Sequence, residues 1–312
     1  MSRRGGIPRF AVVGAGAVGS ALAMALSRRG FKLRALVTAS SRTAHRLKRR
    51  FPKIPTGASL SVLPDDVDLL VIAVPEQQLS SVALALAHRF GTALKGKRVF
   101  HLSGSISSDV LLPVEKKGAV VFSLHPIQAF PADASIDDRA SLLRGISYGF
   151  EGDRRAERIA RRVVRLLGGR FVRVPKEGKI AYHLACVFAS NFIMALHESA
   201  RQLTGAVGGS LRTEDLHPLM ESALRYVMRS GAARVMTGPV VRKSGETLRR
   251  HLQYLDNSEK QFAAVYRALS SVIVDAMRRR HRLTARDAAD LTAILGGNSR
   301  RIRRTNSGGA NH

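Results

Sequence analysis

Apolar positions along the chain fall into two regimes. Between residues 10 and 174 they gather in short unbroken runs separated by longer, periodic stretches. The runs at 10–13, 32–37, 68–74, 97–102, 119–124, 145–150 and 170–174 predict strands, with a shorter one at 59–62. The run at 68–74 is almost entirely Leu, Val, Ile and Ala, the pattern of a strand covered on both faces. Helical spacing fills 18–26, 43–51, 77–90 and an arginine-rich amphipathic stretch at 154–167. Strands alternating with helices predict an α/β Rossmann-like fold with a mainly parallel sheet. Past Pro175 the strand-like runs stop. Spacings of three and four then dominate at 176–203, 213–230, 244–256, 258–280 and 284–295, which predicts an all-α C-terminal domain. Thr284-Ala-Arg-Asp287 resembles a capping box that opens the last of these helices.

The first strand runs into Gly14-Ala15-Gly16-Ala17-Val18-Gly19, a G-x-G-x-x-G spacing that leads straight into a helix. Each glycine has a separate physical task in that setting. Gly14 turns the chain off the strand, Gly16 lets backbone approach a pyrophosphate, and Gly19 lets helix pack on strand. The helix N-terminus offers free N–H groups to the phosphates, so residues 14–19 are the expected cradle of a dinucleotide. The other reading is a glycine-rich turn in a fold that has lost its cofactor. After the second strand, NAD enzymes place an acidic residue on the ribose 2′-OH. Here Ser40, Ser41 and Arg42 stand there, and hydroxyls with a guanidinium suit a 2′-phosphate. NADP is therefore preferred over NAD, unless these residues only cap the following helix. Val74 and Pro75, and Ser103 and Gly104, follow later strands at the same carboxyl edge and complete the expected cofactor contacts.

These two parts predict a dinucleotide-binding domain at 1–175, a helical substrate and dimerisation domain at 176–297, and a basic disordered tail at 298–312. Composition adds constraints. At 312 residues there is room for both cores. The single cysteine, Cys186, excludes an intramolecular disulfide, and a cytoplasmic location is the expectation. No apolar stretch reads as a membrane span, and the basic N-terminus lacks the apolar core of a secretory signal. The net charge of +28 is spread over the whole chain, densest at 46–50, 154–165, 278–282 and 300–304. Such charge favours anionic ligands. No nucleic-acid motif accompanies it and tryptophan is absent, so specific nucleic-acid binding is not expected.

Three groups of residues could carry chemistry. His125, followed by Pro126, stands at a strand end on the same edge as the glycine motif, where an imidazole can act as acid or base. Lys179, His183 and Ser190 fall within roughly a 40° arc if 176–203 is one helix, with Asn191 further round. Polar groups on so apolar a helix are costly without a use. Lys179 and His183 join His125 as catalytic candidates, and Ser190 and Asn191 are candidates for substrate contact. Cys186, close by, reads as core. Arg242 follows Gly238-Pro239 and could hold a substrate carboxylate. A structural role is the rival reading for each group. No metal-ligand spacing is present.

GAGAVG at 14–19, VPE at 74–76, HLSG at 101–104, HPIQAF at 125–130, YH at 182–183, SN at 190–191 and TGP..R at 237–242 together resemble one group. It is the Rossmann-like family whose C-terminal helical domain is of unknown function. That family is similar to the superfamily of 6-phosphogluconate, ketopantoate, pyrroline-5-carboxylate and prephenate dehydrogenases. The resemblance implies an active site between two domains and a homodimer. Hydroxyacid members place Lys and Asn four apart, whereas here Lys179 is followed by His183. Prephenate dehydrogenases share a His-Pro after a strand. The expected function is an NADP-dependent oxidoreductase acting on a small carboxylate-bearing keto, hydroxy or imine compound. A non-catalytic nucleotide-sensing or partner-binding protein is the alternative.

Overall fold

The computed structural model describes residues 7–296. In chain order it forms β1 (Arg9–Val13), α1 (Ala17–Arg28), β2 (Lys32–Val37), α2 (Ser41–Arg50), β3 (Thr56–Gly57), β4 (Leu69–Ile72), α3 (Leu79–Phe90) and β5 (Arg98–His101). Then come α4 (Leu112–Glu115), β6 (Val120–Pro126), α5 (Ile136–Leu142), β7 (Ser147–Gly152), α6 (Glu157–Leu166) and β8 (Arg170–Arg173). The rest is helical: α7 (Lys179–Ala189), α8 (Asn191–Gly205), α9 (His217–Ser230), α10 (Ala232–Val235), α11 (Gly245–Ser258), α12 (Lys260–Arg279) and α13 (Ala285–Leu295).

The strands form one sheet in the order β3-β2-β1-β4-β5-β6-β7-β8. Every neighbouring pair is parallel except β6 with β7. The order reverses between β1 and β4, and the crevice beyond the carboxyl ends of those two strands is where such sheets take ligands. Alternate residues bury into separate cores on the two faces. Phe10, Val12, Leu69, Val71, Phe100 and Phe122 share one, and Ala11, Val13, Leu70, Ile72, Val99 and Val121 the other. Burial on both faces is why these strands read as continuous apolar runs. On the first face the rings of Phe100 and Phe122 stack at 4.7 Å, and Phe150 and Phe171 continue the row.

Two compact units divide at Ile193/Met194. The division expected at 175 therefore falls later, because α7 goes with the sheet unit. In the second unit Leu248, Leu252, Val274, Met277, Leu291 and Leu295 bring α11, α12 and α13 around one core. Thr284 caps α13 as anticipated: its Oγ1 accepts from Asp287 N at 3.1 Å, and the Asp287 carboxylate accepts from Thr284 N at 3.2 Å. The basic tail at 298–312 lies outside the described residues.

Three expectations are corrected. The strand at 59–62 is a 3₁₀ turn, Leu60–Val62, with Ser59 Oγ accepting from Ser61 N, and the strand forms instead at Thr56–Gly57. The helix at 176–203 breaks at Ser190, whose φ of −133° and ψ of −70° end α7. A membrane-length apolar stretch does exist by length and composition: Lys176–Gly205, mean hydropathy 1.4. Ile180, Leu184, Phe188 and Phe192 lie exposed along it. The break at Ser190, and a lysine whose charge is buried against the sheet near the start, set it apart from an uninterrupted apolar helix.

Close packing at the first glycine turn is testable. A Cβ on Gly19 would lie 2.3 Å from the Gly14 carbonyl oxygen. Gly19→Ala should therefore lower unfolding free energy by about 1–3 kcal/mol in a urea titration.

Candidate active site

The glycine turn is tightly packed at Gly14 and open at Gly16. Gly14 has a φ of +90°, and a Cβ there would sit 2.6 Å from the Ala73 carbonyl carbon just past β4. Gly14 N and Ala15 N both donate to Val37 O, at 2.9 Å, which ties the turn to the end of β2. Gly16 differs: nothing stands within 4 Å of where its Cβ would be. Gly16 is the N-cap of α1, whose first turn carries no acidic residue. Helix geometry leaves the N–H groups of Ala17, Val18 and Gly19 without an acceptor inside the helix. One residue past β2 the chain reaches buried Thr38, then exposed Ser40, Ser41 and Arg42. Ser40 does cap α2, its Oγ accepting from Thr43 N at 3.2 Å. The helix begins at Ser41, earlier than expected, so Ser41 and Arg42 occupy its first turn, which also lacks an acidic side chain.

The second cluster follows from strand parity. His101 of β5 pairs with Ser123 of β6, which pairs with Glu151 of β7; two residues on, His125 pairs with Gly149. Directly opposed residues project to one face, so His101, Ser123, His125 and Glu151 form one polar patch. Helix α7 lies across it. Lys179 Nζ donates to Ser123 Oγ at 2.7 Å and stands 3.9 Å from Glu151 Oε2. One turn on, Tyr182 Oη is 2.7 Å from His125 Nδ1, with the rings perpendicular. The His183 ring centroid is 6.1 Å from that of His125. Two glycines make room: a Cβ on Gly149 would fall 2.4 Å from Tyr182 Oη, and one on Gly104 2.7 Å from His183 Cδ2.

The loops after β4 and β5 complete the edge. Glu76 accepts hydrogen bonds from Ser103 Oγ and from Ser105 Oγ, the latter at 2.6 Å. Ser103 N donates to His101 Nδ1 at 3.2 Å, and His101 Nε2 lies 3.3 Å from Ser107 O. The imidazole therefore carries its proton on Nε2.

Electrostatics sort these groups. Burial, with His183 and Lys179 nearby, pushes His125 down to about 4. Burial and Lys179 likewise hold His101 at about 4. Both rings are thus neutral at pH 7. Burial lowers Lys179 while Glu151 and Glu76 pull it back up. Burial opposes ionisation of Glu76, yet the serine hydroxyls hold its carboxyl below the ordinary range. Burial and Cys186 raise Tyr182, keeping its phenol protonated.

The sheet unit thus brings His125, Lys179 and His183 together, with Ser103 and Gly104 beside them. Lys179 is only 3% exposed, and its ammonium is taken up by Ser123 and Glu151. Ser190 is not on the Lys179–His183 stripe, because α7 ends before it. Asn191 opens α8. Arg242 belongs to the other unit, in the turn where its N–H donates to Gly238 O at 3.1 Å. Tyr182 and Glu76 stood in the sequence only as parts of the YH and VPE motifs, without a site role, and Ser123 and Glu151 were given none either. Tyr182 could have been found from its i+3 spacing to Lys179. Glu151 could not, since nothing in the run at 145–150 foretells an antiparallel strand.

A sheet of this order with a glycine turn at its switch point defines a Rossmann-like fold. Comparison with known proteins fixes the rest: residues 6–126 match the Rossmann-like domain and residues 146–273 match the domain of unknown function DUF2520. The two matches follow one another along the chain, the Rossmann-like model first and the DUF2520 model second. BF3122 from Bacteroides fragilis has a similar structure, with TM-score 0.68 and 20% identity over 86% of this chain and 98% of that one. The imine reductase from Myxococcus stipitatus in complex with NADP+ gives 0.61 and 19% over 88% and 96%. Its V8 variant in complex with NAD+ gives 0.60 and 20% over 92% and 99%. No curated protein matches the sequence.

Imidazoles held neutral give a signed pH dependence. Their folded values lie near 4 against 6.5 when free, so the unfolded chain binds protons first on acidification. Stability should be full above pH 6.5 and fall as pH drops toward about 4. Thermal midpoints measured across that range should decline, with a shallower slope in His125→Gln.

Proposed function

We propose that the protein is a nicotinamide-dinucleotide-dependent oxidoreductase, with NADP preferred, that interconverts a small keto or imine compound and its reduced form. The observation that carries the reading is a protonated phenol, paired with a neutral imidazole, on the same sheet edge as an open glycine cradle. The residues present fit the cofactor. Residues 14–19 would take the pyrophosphate at the α1 N-terminus, where Gly16 leaves space. Ser41 and Arg42 would take a 2′-phosphate at the α2 N-terminus. Val74, Pro75, Ser103 and Gly104 would flank the nicotinamide. Similar structures holding NADP+ and NAD+ support a dinucleotide in general.

When bound, the cofactor supplies or accepts the hydride. The chain handles the accompanying proton. With His125 Nδ1–H donating to Tyr182 Oη, the phenol proton, which otherwise meets the Cys186 thiol, would go to the substrate oxygen or nitrogen as reduction proceeds. In oxidation Tyr182 takes that proton back. Gly149 and Gly104 hold the pair in register, and His183 borders the space in which the substrate would lie. Ser190, Asn191 and Arg242 are the residues to vary for substrate contact, Arg242 for a carboxylate. The apolar exposed face of α7 and α8 suits a homodimer.

Thermal unfolding with NADPH, NADH and their oxidised forms tests cofactor binding. A cofactor at 100 times its Kd should add about 2.7 kcal/mol. Gly16→Ala should abolish the shift while changing unliganded stability by no more than about 0.5 kcal/mol, and Arg42→Glu should weaken NADPH more than NADH. No shift with any cofactor removes the reading. With a substrate in hand, Tyr182→Phe should lower kcat by about 100-fold or more. Binding without turnover on any keto or imine compound would instead favour the nucleotide-sensing alternative.

A further inference from the structure

Glu151 is a buried carboxylate beneath α7, and the chemistry above does not use it. It comes from β7, which runs antiparallel to β6, and is 6% exposed. Its oxygens accept from Ser108 N at 2.8 Å, Ser108 Oγ at 2.9 Å and Ser123 Oγ at 3.4 Å. Beyond Ser123 stands Lys179, which also reaches toward Ser103 O at 3.5 Å. Ser103 adjoins Gly104, the residue wedged against His125 and His183. The chain Glu151, Ser123, Lys179, Ser103 therefore runs from the sheet to the loop that borders the candidate site.

The other end of this chain is open. Glu151 and Ser108 help line a depression of about 560 Å³, together with Val121, Asp109, Asp153 and Lys176. Arg173 and Glu115 complete its charged wall. The site and the depression thus meet the same buried carboxylate from two directions.

We propose that Glu151 is a positioning residue for the candidate site, acting through Lys179 on the Ser103–Gly104 loop, and that small carboxylates can replace it by way of the depression. The proposal rests on the oxidoreductase reading. Lys179 is faced by the carboxyl groups of Glu151 and Glu76, with His101 and His125 on the side of the site. Removing Glu151 leaves burial less opposed, so Lys179 loses its proton at lower pH. Any step that needs the ammonium in place then fails earlier as pH rises.

The test compares wild type, Glu151→Gln, Glu151→Asp and Glu151→Ala in steady-state kinetics with NADPH. In Glu151→Gln, kcat should fall about tenfold while the KM for NADPH stays within about twofold. The basic limb of the kcat profile should move down by about one pH unit, and Glu151→Asp should restore it. Formate should raise both kcat and the thermal midpoint of Glu151→Ala and leave wild type unchanged. Wild-type kcat and an unmoved basic limb in Glu151→Gln overturn the positioning role. A folded Glu151→Ala protein indifferent to formate overturns access from the depression. Absence of turnover in wild type itself is a different result, and it overturns the oxidoreductase reading and this proposal together.

Discussion

An ammonium buried to within 3% of full enclosure must have its charge answered on the spot, and Lys179 dictates much of the surrounding architecture. The answer is distributed. Ser123 accepts its shortest hydrogen bond, Glu151 supplies the opposing charge at 3.9 Å, and the serines around Glu151 fill that carboxylate's remaining valences. A buried pair is weak evidence of stability, because desolvation offsets much of the attraction. Its consequence here is positional. With Lys179 pinned to the sheet, the first turn of α7 is fixed, and Tyr182 and His183 are delivered onto His125 one turn later.

The glycine turn depends on a different constraint, the proximity of β1 and β4 at the switch in strand order. Gly14 and Gly19 are both excluded from carrying side chains by backbone contacts around Ala73 and Gly14 itself. Gly16, in the same motif, is excluded by nothing inside the chain. Two glycines of the motif thus serve the fold, and the third leaves open space beside the N-terminus of α1. The loops leaving β4 and β5 tie this turn to the polar patch through Glu76, Ser103 and Ser105.

Much of the fold was legible because it is written in local periodicity. Strands buried on both faces appear as apolar runs, and amphipathic helices appear as spacings of three and four. Gly14, Gly19 and the Thr284 cap were readable for the same reason, since each task involves near neighbours. What was not legible depends on distant partners. Whether β7 runs parallel or antiparallel is set by its pairing with β6, and that alone puts Glu151 beside Ser123. The break at Ser190 was hidden because the apolar spacing continues through it. His125, Lys179 and His183 could be named from residue type and place. Tyr182 stood in the YH motif without a role until the strand beneath it was known.

The pairing of β6 with β7 also couples tolerance to change in core and site. Phe150 stands between Gly149 and Glu151, its ring in the stack with Phe122 and Phe171 on the opposite face. A strand has period two, so losing or gaining one residue in the connection would slide all three at once. The phenyl ring would then arrive under α7, and a carboxylate would enter the apolar stack. Length in the loops on either side of α5 is therefore open to change, but the phase in which the chain re-enters the sheet is not. Lineages carrying this fold should accept insertions there only where the Gly-Phe-Glu triplet returns to the same register.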